Sequence, residues 1–85
     1  MNLTELKQKL DHLGVKPKSY SLFGELTPDT TILVRNYYKW EVFYLDERGG
    51  RNDEQTFLSE SDACDYLYKI FAESRRIEIK YGVNT

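Results

Sequence analysis

Residues 40–57 are WEVFYLDERGGRNDEQTF, and this stretch decides the fold class because it contains two strands and the turn between them. Its first part, residues 40–45, is rich in aromatic and β-branched residues, which favours a strand. Gly49 and Gly50 follow within the turn, where glycine accepts a positive φ at low cost. The polar residues 53–57 then return as a second strand, so the segment predicts an antiparallel hairpin.

Two further strands are predicted on the N-terminal side of this hairpin. Residues 31–35 are rich in β-branched side chains and connect to the hairpin through the short segment 36–39. Residues 20–23 form a shorter candidate strand. Between these two strands, residues 27–30 have the composition of a turn, with proline at its second position. Connections this short favour an antiparallel sheet of three to four strands.

A helix is predicted on each side of these strands. The first has Asn2 as its N-cap and Gly14 at its left-handed end, and its apolar face is a series of leucines at three- and four-residue steps: Leu3, Leu6, Leu10 and Leu13. The second begins at Ser59, which with Asp62 resembles a capping box. Beyond it, residues 77–81 alternate between apolar and polar side chains, which is typical of a last short strand or a packed tail.

These elements predict one α+β domain that covers residues 1–85, with the N-terminal and C-terminal helices packed on one face of the sheet. A length of 85 residues leaves room for a single domain. The chain carries 12 lysines and arginines against 14 acids, a formal charge of −2, so it lacks the basic excess of a protein that coats nucleic acid. The longest uncharged apolar run is far shorter than the roughly 20 residues that span a bilayer. With no apolar signal-peptide region at the N-terminus, we expect a cytoplasmic protein that binds neither nucleic acid nor a membrane.

Catalytic chemistry finds little support in the sequence. His12 and Cys64 are the only histidine and the only cysteine, and their helical positions favour structural roles. The glycine pair opens no helix and precedes no Lys-Ser/Thr, so it is not a phosphate-binding loop. Acids flank the hairpin turn, but their spacing matches no calcium loop, and a solvated turn crossed by salt bridges is the expected arrangement. We therefore expect no enzyme, no cofactor and no metal.

Charge is distributed unevenly along the chain. Residues 46–65 contain seven acids against two arginines, a local charge of −5, so the remainder of the chain is net basic. One interpretation is structural: the acids keep an exposed edge in solution and stabilise the N-terminus of the second helix. The other is an anionic surface that steers a cationic partner, and its candidate residues are Asp46, Glu47, Asp53 and Glu54.

Aromatic residues are concentrated in the same region. Five of them fall within eight positions: Tyr37, Tyr38, Trp40, Phe43 and Tyr44. Alternation places Trp40 and Tyr44 on one side of the strand and Phe43 on the other. Two helices on a single face would leave several of these aromatics on the uncovered face. They either fill a small core or anchor a protein interface, and Trp40 and Tyr44 are the expected anchors.

A family resemblance covers residues 40–67 and extends to the N-terminal helix and residues 20–22. It is carried by residues 40–44, by Glu47-Arg48-Gly49, by Asp53-Glu54, by Thr56-Phe57 and by residues 60–67. In these segments the chain resembles small bacterial immunity proteins, which neutralise the toxic C-terminal domains of secreted LXG-type polymorphic toxins, many of them nucleases. Among these immunity proteins, the chain resembles the YxxD type of antitoxin. The resemblance assigns no functional residue.

The expected function is therefore that of an immunity protein, an inhibitor that binds its cognate toxin domain as a monomer or weak homodimer. A different class remains open: a small adaptor or structural domain that binds a non-toxin protein through an aromatic sheet face. A nucleic-acid binder is a third and lower-ranked possibility that depends on scattered basic residues: Lys7, Lys9, Lys16, Lys18, Arg75 and Arg76.

Overall fold

The computed structural model describes the backbone of residues 1–81 and the side chains of residues 1–74. The elements along the chain are α1 (Leu3–Leu13), one 3₁₀ turn (Pro17–Ser19), β1 (Tyr20–Ser21), β2 (Thr30–Asn36), β3 (Lys39–Leu45), β4 (Arg51–Phe57) and α2 (Glu60–Tyr81). This order confirms the predicted α+β class, with one helix before the strands and one after them.

The four strands form one sheet in the order β1-β2-β3-β4. β2, β3 and β4 are antiparallel neighbours, as predicted. β1 differs, because it pairs with β2 in the parallel direction, so the expectation of a fully antiparallel sheet is wrong at this strand. Between β1 and β2 the chain crosses back through residues 22–29 and re-enters the sheet in its original direction, which is the connection that parallel neighbours require.

The ends of α1 follow from local sequence. The Asn2 side chain accepts a hydrogen bond from the Glu5 amide at 2.8 Å, and the Glu5 carboxylate accepts one from the Asn2 amide at 3.1 Å. At the other end Gly14 adopts φ +80, and the Val15 amide donates to the Leu10 carbonyl at 3.0 Å. Both terminal signals predicted from the sequence are confirmed.

α2 begins as predicted and ends later. The Asp62 amide donates to the Ser59 hydroxyl at 3.1 Å, so Ser59 caps the helix. The helix then continues to Tyr81. The expectation of a short strand over residues 77–81 is therefore wrong, and the other expectation, a packed tail, lies outside the described side chains. No glycine or proline interrupts residues 60–81, so the helical hydrogen-bond ladder can propagate through the alternating segment.

The main core lies between the two helices and one face of the sheet. Leu33 and Val42 supply the sheet side, and both are almost completely buried. Packed against them are the other fully buried side chains of this cluster, Leu6, Leu10, Ala63, Cys64 and Leu67. The Glu60 carboxylate also accepts a hydrogen bond from the Leu3 amide at 2.9 Å, which links the N-terminal ends of α1 and α2. Both helices thus cover the same face, as predicted.

The opposite face of the sheet carries a second apolar cluster formed by Ile32, Phe43 and Leu45. Phe43 is only 1% exposed. The Arg51 guanidinium lies over its ring, 4.3 Å from the ring centroid. The expectation that several aromatics would stand exposed on this face is wrong, because the face is closed by its own aliphatic neighbours and by Arg51.

Candidate protein-binding site

The turn between β3 and β4 shapes the acidic region of the molecule. The Gly49 amide donates to the Asp46 carbonyl at 3.0 Å, and the Asp46 amide donates to the Gly50 carbonyl at 3.0 Å. Gly49 adopts φ +85, which is the left-handed conformation that a three-residue hairpin loop requires. The glycine pair predicted as a reversal thus fixes the register of the hairpin and the direction of its acidic side chains.

Asp46 is held in place by the turn itself. Its Oδ1 accepts hydrogen bonds from the amides of Arg48 at 2.9 Å and Gly50 at 2.8 Å, and its Oδ2 accepts one from the Asn52 side chain at 3.1 Å. These hydrogen bonds, led by the one from Gly50, lower the pKa of Asp46 below its ordinary value. The turn is therefore held by hydrogen bonds to a fixed carboxylate, and the expected salt bridges lie next to it, where Arg51 pairs with Glu54 on its own strand and with Glu41 across the hairpin.

Tyr44 lies beside this carboxylate, at the end of β3. Its side chain is 40% exposed, and its hydroxyl donates to Asp29 Oδ1 at 3.0 Å. The pKa of Tyr44 is raised, first by this hydrogen bond and then by burial and by the charges of Asp29, Asp46 and Glu47. Asp29 thus contacts the phenol directly, and Asp46 and Glu47 act on it through their charges from the adjoining turn. We call Tyr44, Asp29, Asp46 and Glu47 the acidic end.

Asp53 and Glu54 lie on the neighbouring strand β4. Between Val42 and Tyr44 the β3–β4 register shifts, and Asp53 adopts φ +52 there, so β4 contains a β-bulge. Glu54 forms an ion pair with Arg51 at 3.8 Å, and both side chains are exposed. An exposed pair of this kind contributes little to stability, so Glu54 can exchange Arg51 for another cation.

Trp40 lies at the opposite end of β3 from Tyr44. The two residues are four steps apart along an extended strand, which is about 13 Å. Trp40 is half-buried at the edge of the main core, and the Arg35 guanidinium lies 5.7 Å from its ring centroid. The structure therefore brings Tyr44 near two of the predicted acids, Asp46 and Glu47. It leaves Trp40, Asp53 and Glu54 outside the acidic end.

Asp29 is the member of the acidic end that sequence reasoning missed. It is 15 residues from Tyr44 and belongs to the turn before β2. A signal for it was present in the chain, because the tight connection between β2 and β3 pairs Asn36 with Lys39. Counting outward from that pair places Thr30 opposite Leu45, and hence Asp29 beside Asp46.

The two residues considered for catalysis lie elsewhere in the structure. His12 is exposed in the last turn of α1. Cys64 is completely buried in α2. Burial, together with the charge of Glu60, raises the pKa of its thiol to about 11, so the thiolate is strongly disfavoured at neutral pH. Cys64 is therefore a packing residue, as its position in the sequence indicated.

Within the described part of the chain, no three or more His, Cys, Asp or Glu side chains are grouped so that they could hold a metal ion. No helix in residues 1–81 combines the length and the apolar character needed to cross a membrane. Comparison with models of protein families, with curated proteins and with solved structures found no match in any of the three.

Proposed function

We propose that this chain is an immunity protein, a non-catalytic inhibitor that binds the toxic nuclease domain of a cognate secreted bacterial toxin. The observation that carries the proposal is the acidic end, where the half-exposed Tyr44 donates a hydrogen bond to Asp29 beside the turn that contains Asp46 and Glu47. The resemblance of residues 40–67 to bacterial immunity proteins supports the same function. The alternative is an adaptor that binds through an aromatic sheet face; the burial of Phe43 beneath Arg51 disfavours it, whereas the exposed Tyr37 and Tyr38 leave aromatic surface at the turn before β3.

The chemistry of a nuclease explains why an acidic surface would inhibit it. A site that attracts the phosphates of a nucleic acid is lined by lysine and arginine side chains. The carboxylates of Asp29, Asp46 and Glu47 would occupy such a site as a polyanion does, while the Tyr44 ring provides apolar contact area. Asp46 is held by three hydrogen bonds before binding, so little conformational entropy is lost when it meets a cation.

Co-expression with the adjacent toxin reading frame tests the proposal directly. Cells that produce the toxin domain should grow only when this chain is produced with it, because inhibition requires stoichiometric binding. Failure of the wild-type chain to restore growth in the presence of its genomic neighbour would contradict the immunity function.

Reversing one charge at the acidic end tests the surface. Glu47→Lys should slow association with the purified toxin domain by about tenfold at low ionic strength and should weaken the dependence of the rate on salt. Glu73→Lys is the matched control, because Glu73 is also exposed but lies in α2. Stopped-flow fluorescence measures both rates. Equal rates for the two variants would remove the acidic end from the interface.

A further inference from the structure

The turn between β2 and β3 carries two aromatic side chains that extend into solvent. Tyr37 and Tyr38 form a two-residue hairpin loop, because Asn36 pairs directly with Lys39 across it. The two rings are 87% and 73% exposed, so neither belongs to a core. We call residues 35–40 the hairpin tip. Neighbouring rings with open faces can stack on flat, unsaturated groups of a ligand.

The backbone at Tyr37 is unfavourable for an aromatic residue. Tyr37 adopts φ +61, the left-handed region in which a Cβ crowds the backbone. A two-residue hairpin loop with a positive φ at its first position usually has glycine there. Packing does not compensate for the strain, since the ring lies in water. A strained and exposed aromatic side chain indicates a role other than holding the fold together.

The hairpin tip is positively charged. It contains Arg35 and Lys39 and no acid, and neither cation is within 4.0 Å of a carboxylate among the side chains of residues 1–74. The Arg35 Nε donates to the Tyr37 carbonyl at 3.1 Å, and the guanidinium lies 5.7 Å from the ring centroid of Trp40. Arg35 is thus held beside the loop. An anion can bind there without displacing an internal carboxylate partner.

Three acids follow the hairpin tip or its neighbour in β4 along the chain, but they do not neutralise it. Glu41 points to the opposite face of the sheet, where it lies 3.9 Å from Arg51. The Glu60 carboxylate accepts the Leu3 amide at 2.9 Å, beside α1. Asp62, exposed in the first turn of α2, is one charge against two. The acidic end lies at the other end of β2, about 20 Å away, whereas the Debye length is about 8 Å at physiological ionic strength.

The size and composition of this surface indicate its occupant. A stable protein interface takes about 20–30 residues from each partner, and the six residues of the hairpin tip are too few to form one by themselves. Single-stranded nucleic acid needs less surface, because each base stacks on one aromatic face and each phosphate meets one cation. Paired bases are stacked on one another inside a duplex and offer no such face. Two rings beside two cations therefore match a single-stranded segment of about two nucleotides.

We propose that the hairpin tip binds single-stranded nucleic acid, with Tyr37 and Tyr38 stacking on two successive bases and Arg35 and Lys39 contacting the adjoining phosphates. The expectation that the chain binds no nucleic acid rests on its formal charge of −2, and the basic residues considered with it lie outside the hairpin tip. The folded sheet changes this expectation because it separates the hairpin tip from the acidic end. The binding does not depend on toxin neutralisation, and its test uses no toxin.

Titration of the ¹⁵N-labelled full chain with hexathymidylate, a single-stranded DNA of six thymidines, tests the proposal. We expect saturable amide shifts in residues 35–40, and a slope of about −1.4 for the logarithm of the association constant against the logarithm of the salt concentration, the value for two phosphates. The abasic hexanucleotide keeps the phosphates but lacks the bases, so it should bind about tenfold more weakly.

Three outcomes of this titration would overturn the proposal. The first is the absence of saturable shifts in residues 35–40 up to about 2 mM hexathymidylate at low salt. The second is equal affinity for the abasic hexanucleotide, which would mean that charge alone is recognised. The third is an acidic peptide, DEDEDE, that shifts the same amides with equal or higher affinity, which would replace nucleic acid with an acidic protein.

An aromatic substitution separates binding from folding. Asparagine tolerates a positive φ, so Tyr37→Asn should not destabilise the chain, yet it should weaken hexathymidylate by about tenfold. Phe23→Asn is the matched control, because Phe23 is 81% exposed but lies outside the hairpin tip. Its affinity for hexathymidylate should equal that of the wild type. Unchanged affinity in Tyr37→Asn, or an equal loss in the two variants, would contradict stacking at the hairpin tip.

A charge substitution locates the phosphate contact. Lys39→Gln should reduce the salt slope to about −0.7, because one of the two phosphates loses its cation. Lys69→Gln removes the same charge at an exposed position of α2 and should leave the slope unchanged. Equal changes in the two variants would show that only the net charge of the chain matters and would overturn the assignment of the hairpin tip.

Discussion

Replacing Gly24 by alanine should destabilise the fold by more than the loss of a glycine alone explains. Gly24 has φ +84, and an added Cβ would lie 2.9 Å from Val34 Cγ2 and 3.6 Å from Val34 Cβ. Val34 is β-branched and packs against the second apolar cluster, so its side chain has little freedom to move away. The substitution therefore combines an unfavourable backbone conformation with a steric overlap.

The two contributions can be separated by a matched variant. Gly49 has almost the same backbone conformation, φ +85, but an added Cβ there meets no atom within 4 Å. Gly49→Ala should reduce the free energy of unfolding by about 1 kcal/mol, the cost of a left-handed alanine. Gly24→Ala adds an overpacking cost of about 1–3 kcal/mol, so its total loss should be about 2–4 kcal/mol.

Equilibrium unfolding in urea, followed by circular dichroism and by the fluorescence of Trp40, measures both variants. For a chain of this size, with a slope near 1 kcal/mol per molar urea, the midpoint of Gly24→Ala should fall about 1–3 M below that of Gly49→Ala. Equal midpoints for the two variants would refute the close packing of Gly24 on Val34.

Three further predictions concern single side chains. The Tyr20 hydroxyl is buried and has no hydrogen-bond partner among the described residues. Tyr20→Phe should therefore raise the free energy of unfolding, measured in urea, by about 1 kcal/mol. A free energy of unfolding below that of the wild type would reveal a partner such as a bound water. Tyr37 adopts φ +61 at the tip of the β2–β3 hairpin, so Tyr37→Asn should stabilise the chain by about 1 kcal/mol, whereas Tyr38→Asn should not. Burial raises the pKa of Cys64 from 9.0 to about 11. Because the pKa is higher in the folded state, the contribution of the protonated thiol to the free energy of unfolding is present below pH 9 and is lost as the pH rises towards 11. The urea midpoint of the wild type should therefore fall relative to Cys64→Ala over that range, and a constant difference would contradict it.

The sequence by itself determined the features that depend on neighbouring residues. Asn2 and Glu5 cap α1, Gly14 ends it, and Gly49 permits the hairpin turn, all through contacts within five residues. Alternation along β2 and β3 also separated Leu33 from Ile32 and placed them in two different clusters. Such features are predictable because backbone geometry and hydrogen-bond spacing decide them locally.

Only the tertiary structure decided how distant segments meet. The parallel pairing of β1, the cover that Arg51 gives Phe43, and the hydrogen bond from Tyr44 to Asp29 join parts of the chain that lie 8 to 15 residues apart. Their partners are selected by the register of the whole sheet and by competition for buried space, since each depends on contacts that no local pattern contains. The acidic turn could therefore be predicted as a charged segment, and the hairpin register places Asp29 beside Asp46, but the hydrogen bond from Tyr44 to Asp29 required the folded sheet.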